Sequence, residues 1–213
     1  MTTDASRPLR ADAARNFERI LRAAREVFAV SGPDASLDEI ARHAGVGIAT
    51  LYRRFPDREV LVRAALDQGL AELVAPAVER ALGDEDPRRG LITYLDAAMS
   101  MAARERNTLA AAKSAGAIAA EVSEQFFESL TLLARRGQQA GLIRADLLPE
   151  DLPRIMAMLV AVLWTMEPGS DGWQRYVALV LDSLSPAAAN PLPPAVALWP
   201  LRKPGYWPVP SDE

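Results

Sequence analysis

The sequence predicts an all-α protein, and three observations predict it. Apolar residues recur at helical spacing through almost the whole chain, and no segment sustains the alternation a half-buried strand would need. The breaks between periodic segments carry capping residues, glycines and prolines in the order that helix ends demand. With 213 residues, half of them hydrophobic, the chain can bury a substantial core as one large domain or as a small domain joined to a larger one.

Taken in order, the first helix is expected from about Ala13 to Val30. Phe17, Ile20, Leu21, Ala24, Val27 and Phe28 form one stripe, with Arg15, Glu18, Arg19, Arg22, Arg25 and Glu26 largely off it, and Gly32-Pro33 stops it. SLDEIARHAG follows. Ser36 with Glu39 reads as a capping box, in which the hydroxyl accepts a backbone N–H and the carboxylate reaches back. Leu37, Ile40 and Ala41 face inward, and Gly45 can end the helix in the left-handed conformation. A short helix over Ile48 to Phe55 ends at Pro56, and Asp57 can cap a long helix running towards Leu82 with a bend at Pro76. Asp86 caps a helix with Pro87 at its first position, running to about Arg104. Further helices are expected over Leu109 to Ala115, Ala117 to Ala140 (closed by Gly141), Glu150 or Asp151 to Met166, and Asp171 to Leu184. Residues 185–213 hold 8 of the 16 prolines and read as an irregular or extended tail, either a disordered linker, which composition alone favours, or an arm packed across the body, for which Trp199, Tyr206 and Trp207 argue.

Composition narrows the function classes. The net charge is −4, but residues 1–64 hold 11 Arg against 9 acidic residues and the remainder hold 13 basic against 19 acidic residues. A less acidic N-terminal part on an acidic body points weakly to a polyanion-binding end. Arg outnumbers Lys by 22 to 2, which supplies planar forks suited to phosphates and base edges. There is no cysteine and one histidine, His43, so disulfides, thiolate metal sites, His-rich centres and most histidine-dependent triads are excluded. No acidic or histidine partner stands at ligand spacing from His43, which reads as a helix-surface residue. The N-terminus lacks an apolar stretch of signal-peptide length, and the longest apolar stretch, Ile155 to Met166, is twelve residues, too short to span a bilayer. A cytoplasmic location is expected.

Residues 44–61, AGVGIATLYRRFPDREVL, pose the central choice between a glycine-rich phosphate loop and the turn of a DNA-reading helix pair. A P-loop would need GxxxxGK[ST], and the lysine is missing. A dinucleotide fingerprint would need a third glycine and a preceding strand, and here a helix precedes. A bracing helix, a Gly-Val-Gly turn and a second short helix instead make a helix-turn-helix, whose second helix enters the major groove. Val46 and Leu51 are expected to pack beneath the turn with Ile40, Leu37 and Phe28. Ile48, Ala49, Thr50, Tyr52 and Arg53 or Arg54 are expected to face outward, with small Ala49 and Thr50 suited to thymine methyls or phosphates and Tyr52 and Arg54 suited to phosphate or guanine.

From about Ala11 to Leu70, RILRAAREVFAVSG followed by SLDEIARHAGVGIATLYRRFPDREVL resembles the DNA-binding domain of the tetracycline-repressor (TetR) family, in its Thr-Leu-Tyr and Phe-Pro-x-Arg-Glu-x-Leu elements. The resemblance implies an all-helical homodimer with a three-helix N-terminal domain, a connecting fourth helix and a C-terminal ligand-binding and dimerisation domain. It also implies repression of transcription that a small molecule relieves. The site residues it implies are Ser36 and Leu37 on phosphates, Gly47, Ile48 and Ala49 nearest the base edges, and Thr50 and Tyr52 as a backbone clamp. Arg54 stands where many members carry histidine, and Arg58 is a phosphate contact opening the fourth helix. Arg53, read from its outward position alone, is either a further DNA contact or a solvated surface charge.

The implied domains are 11–70 for DNA binding, with the helix-turn-helix at about 36–55, then 71–184 for effector binding and dimerisation, and 185–213 as the tail. In the body, Met99, Met101, Phe126, Phe127, Leu130, Leu133 and Trp164 are candidate pocket walls, because Met and aromatic side chains adapt to apolar ligands, and Lys113 could pair with an anionic one. Leu152–Leu163 and Trp173–Leu184 are the candidate dimer helices, and RADLLPEDLPRIMAMLVAVLW is similar to a C-terminal subgroup common among actinobacterial members. No cofactor and no metal are expected. The partners implied are double-stranded DNA with a near-palindromic operator, a small-molecule effector and a second copy of the chain. A rival reading as an enzyme or helical carrier lacks its parts, with no HExxH and no GxSxG. Activation of transcription in place of repression stays open.

Overall fold

The computed structural model describes residues 6–116, 124–188 and 190–194, and every regular element among them is helical. The order is α1 (Ser6–Ser31), α2 (Leu37–His43), α3 (Ile48–Arg54), α4 (Arg58–Leu73), α5 (Ala75–Gly83), α6 (Pro87–Arg104), α7 (Arg106–Ser114), α8 (Glu124–Gln139), α9 (Asp151–Leu163) and α10 (Trp173–Ser183), with a 3₁₀ turn at Pro186–Ala188. The expected segment 117–123, residue 189 and residues 195–213, including the three tail aromatics, lie outside the described residues.

Helix starts follow the chemistry of their capping residues. Ser36 is extended and its hydroxyl accepts from the Glu39 amide. Asp57 accepts from the Val60 amide, and Asp86 accepts from the amides of Arg88 and Arg89 with Pro87 at the first helical position. One expected bond differs. The Glu39 carboxylate does not close the capping box but accepts from the Ser31 hydroxyl at 2.5 Å, which ties α2 back to the end of α1.

The expected long connecting helix is two helices. Pro76 has no amide hydrogen to give Glu72 and its ring would meet that carbonyl, so α4 ends at Leu73 and α5 restarts with Pro76 in its first turn. The amides of Ala77 and Val78 both bond to the Val74 carbonyl across the break.

Two cores result. The first gathers Ile20, Ala24 and Phe28 of α1, Ile40 of α2, Leu51 of α3, Phe55 and the Leu61-Val62-Ala65 face of α4, all buried. Met101 of α6 and Ala111 and Ala112 of α7 belong to this same core, so the body is clasped to the N-terminal head through apolar packing. The second core joins Leu91, Tyr94, Leu95 and Met99 of α6 with Leu130 and Leu133 of α8, Leu152 and Leu159 of α9, and Trp173 and Val177 of α10. Helix α6 is its axis and approaches its neighbours closely: a methyl group at Gly90 would stand 2.7 Å from the Ala81 carbonyl oxygen and 3.0 Å from Leu133.

Candidate nucleic-acid interface

The turn between α2 and α3 is fixed by backbone geometry. Gly45 takes φ +64°, a conformation glycine adopts without the strain a Cβ adds. Its amide bonds to the Arg42 carbonyl and the Val46 amide to the Ala41 carbonyl, the paired bonds of a Schellman motif. The chain then leaves extended through Gly47, which caps α3 and has open space on its Cβ side. Leu51 is fully buried and pins α3 to the head, with Leu37 and Val46 half-buried against the same core.

That anchoring decides what α3 presents. Ala49, Tyr52, Arg53 and Arg54 are exposed, and Thr50 is half-buried beside them. Tyr52 is 48% exposed, a large area for an aromatic ring. Ile48 departs from the outward placement expected of it. Its side chain is half-buried and packs against the first core. Ser36 is exposed at the start of α2.

Arg58 is held by the protein itself. Its Nη1 donates to the Ala35 carbonyl oxygen at 2.7 Å and its Nη2 to the Pro33 carbonyl oxygen, while the guanidinium sits 5.2 Å from the centroid of the Phe28 ring. It thus fastens the α1–α2 turn to the start of α4. Phe17 is 37% exposed, where a fully inward stripe was expected, because it stacks on the outer side of Phe55 at 5.2 Å. His43 has an acidic partner that sequence spacing did not reveal: its Nε2 lies 2.8 Å from Glu26 Oε2 on the neighbouring helix.

Arg25 is the largest correction. It is expected off the apolar stripe of α1, yet it is buried and reaches two carboxylates, Glu105 at 3.0 Å and 2.7 Å through Nε and Nη2, and Glu72 at 2.6 Å through Nη1. Burial lowers its pKa, and the hydrogen bonds and charges of both glutamates outweigh that, leaving it above the ordinary arginine value.

In the body, the candidate pocket residues do not all meet. Tyr94, Phe126 and Phe127 form an aromatic cluster, with ring centroids 4.8 Å and 5.5 Å apart, and Met99 and Leu130 share its core. The buried Tyr94 hydroxyl donates to the Phe126 carbonyl, and burial raises its pKa far above the phenol range. Met101 lies in the first core, Lys113 is exposed on α7, and Trp164 is 38% exposed under the guanidinium of Arg106. Helices α9 and α10 expose Met158, Leu179 and Tyr176 around a shallow apolar groove of about 230 Å³ that Leu159, Val162, Val180 and Ser183 complete. Among the described residues no cluster of His, Cys, Asp or Glu could hold a metal ion, and no helix is long and apolar enough to cross a membrane.

A short anchored helix presenting small, aromatic and basic side chains, mounted on a helical body, is the architecture of a DNA-binding transcription regulator. Residues 20–65 match the family model for bacterial regulatory proteins of the tetR family, and residues 86–186 match that for the C-terminal domain of SbtR-like transcriptional regulators. A TetR transcriptional regulator from Streptomyces coelicolor is similar at 32% identity, with 81% of this chain and 99% of that one covered and a TM-score of 0.57. A TetR regulator from Mycobacterium vanbaalenii is similar at 31% identity over 84% and 99% of the two chains, with a TM-score of 0.54. The regulator FadR from Bacillus subtilis, solved in complex with stearoyl-CoA, shares the fold at 19% identity over 82% and 100%, with a TM-score of 0.64. A comparison with curated proteins found no match. The chain belongs to the TetR family and is a DNA-binding transcriptional regulator.

Proposed function

We propose that this protein is a homodimeric repressor that reads a near-palindromic operator through α3 and leaves it when a small molecule binds the body. The observation that carries this reading is the division of α3. Leu51 is buried to hold it, and Ala49, Tyr52, Arg53 and Arg54 are exposed along the opposite side. Gly47 and the backbone of Ile48 approach the groove, Ala49 and Arg54 read base edges, and Thr50, Tyr52 and Arg53 hold the sugar-phosphate backbone together with Ser36 and the Leu37 amide. Arg58 serves the interface indirectly, through the turn whose carbonyls it holds.

The second copy pairs across the α9–α10 groove, where Met158, Tyr176 and Leu179 supply an exposed apolar face. The effector enters near Met99, Phe126, Phe127 and Leu130, around Tyr94, and favours a separation of the reading heads that no longer matches DNA. Met101 belongs to the first core and Lys113 and Trp164 are exposed, so this reading leaves them out of the pocket. Reading and regulation divide at about 11–70 and 71–184, with Met101, Ala111 and Ala112 crossing the division. The protein works in the cytoplasm and turns over no substrate.

Selection from a random DNA pool tests the assignment of roles. Ala49→Ser and Arg54→Ala should each select a sequence altered at one position per half-site. Tyr52→Phe should select the wild-type sequence with about 30-fold weaker affinity, the worth of one hydrogen bond in each of the two half-sites. Identical sequence preferences in all variants would remove α3 from the reading role.

A further inference from the structure

Three consecutive residues at the corner between α6 and α7, Glu105, Arg106 and Asn107, reach in two directions. Towards the head, Glu105 accepts from Arg25 of α1 through Oε1 and from the Thr108 hydroxyl at 3.0 Å through Oε2, and it is 7% exposed. Asn107 donates from Nδ2 to the Phe28 carbonyl at 3.0 Å, at the C-terminal end of α1. Away from the head, Arg106 donates to the Met166 carbonyl at 2.9 Å, and its guanidinium stands 5.1 Å from the centroid of the Trp164 ring, just past the end of α9.

We propose that this corner, with Arg106 facing α9 and Glu105 and Asn107 facing α1, positions the DNA-reading head relative to the paired α9–α10 face. The physical reason is the stiffness of its bonds. Arg25 and Glu105 are both buried, and parting them would leave unpaired charges out of water, whereas Glu72 is 44% exposed and can be rehydrated. A carbonyl past the end of a helix is free of the helical ladder and open to a side-chain donor. A displacement of the end of α9 therefore pulls on Arg106, and residues 105 and 107 carry it to α1 without needing α4 to bend. The sequence gives no hint of the link, since its partners stand 80, 79 and 60 positions apart. The inference rests on the dimer reading above.

The chain contains no cysteine, so one introduced at exposed Asp38 of α2 carries a spin label on each head and nowhere else. In the Asp38→Cys parent, pulsed dipolar spectroscopy should give a single narrow head-to-head distance. Adding Arg106→Gln or Asn107→Ala should broaden it and displace its mean. Each should also weaken binding to DNA selected by the wild-type chain roughly tenfold, with the double variant little worse than the stronger single one. A parent-like distance distribution in both variants, whatever their unfolding midpoints, would overturn the proposal and leave the corner a purely stabilising feature. Absence of any dipolar signal in the parent would overturn the dimer reading, and the relay with it. Wild-type binding to the same DNA reports separately on α3.

Discussion

Arg58, the first residue of α4, donates a hydrogen bond of 2.7 Å to the carbonyl oxygen of Ala35, the residue just before the serine that caps α2. The bracing helix is thus oriented by a side chain from beyond the reading helix. Because the guanidinium is spent on two carbonyls and the Phe28 ring, Arg58→Ala should lower stability by about 2 kcal/mol, the worth of hydrogen bonds from a charged donor. DNA affinity should fall for every sequence while the slope of log affinity against log salt keeps its wild-type value. A slope shallower by about two units, one phosphate per copy in the dimer, would show that Arg58 neutralises a phosphate itself.

Gly45→Ala tests the turn. A Cβ there would meet nothing within 4 Å, so the penalty comes from the backbone at φ +64° alone. Chemical denaturation should show a loss of about 1–2 kcal/mol, with the slope unchanged. No loss would mean that the turn adopts another geometry.

Leu179 is 53% exposed on α10, beside Met158 at 59% on α9. Leu179→Arg places a charge in the paired face and should convert a dimer to a monomer in sedimentation velocity. Affinity for the operator should fall about 100-fold or more, since two linked heads become one. A variant that remains dimeric would move the interface off this groove.

Asp146 predicts an acid transition. Hydrogen bonds from Arg144, first, and from the Leu192 amide hold its carboxyl well below the usual carboxylate range. Arg144 bonds in turn to the Asn190 carbonyl at 2.6 Å, so the pair fastens residues 190–192 to the α8–α9 connection. Folding lowers this pKa. Its stabilisation is therefore complete above the unfolded value of about 3.9 and disappears as pH falls through the lower folded value. Protection of the Leu192 amide relative to its intrinsic exchange should be full down to about pH 4 and decline progressively below it, and Asp146→Asn should be poorly protected at neutral pH. Equal protection in both proteins at pH 7 would break the link.

What the sequence made legible is what is encoded within about ten residues. Ser36, Gly45, Asp57, Asp86 and Pro87 each act on backbone a few positions away, so the helix-turn-helix and most helix ends could be read directly. Pro76 was legible as a disturbance, but whether it bends or breaks the helix depends on how α5 packs on α6. Side chains whose partners come from distant segments were not legible. Arg25 looks like one of several surface arginines until Glu72 and Glu105 arrive 47 and 80 residues later, and His43 looks partnerless until α1 brings Glu26 alongside. The turn of Ile48 into the core and the engagement of Arg58 are likewise products of tertiary packing that a motif does not record.

The most direct test of the central claim is binding to fragments of the native genome at fixed salt, followed by hydroxyl-radical footprinting of the preferred fragment. The account predicts one site with two-fold symmetric protection, its halves about one helical turn apart or somewhat more, lying beside a promoter. Binding that is equal across fragments and leaves no protected site would contradict it.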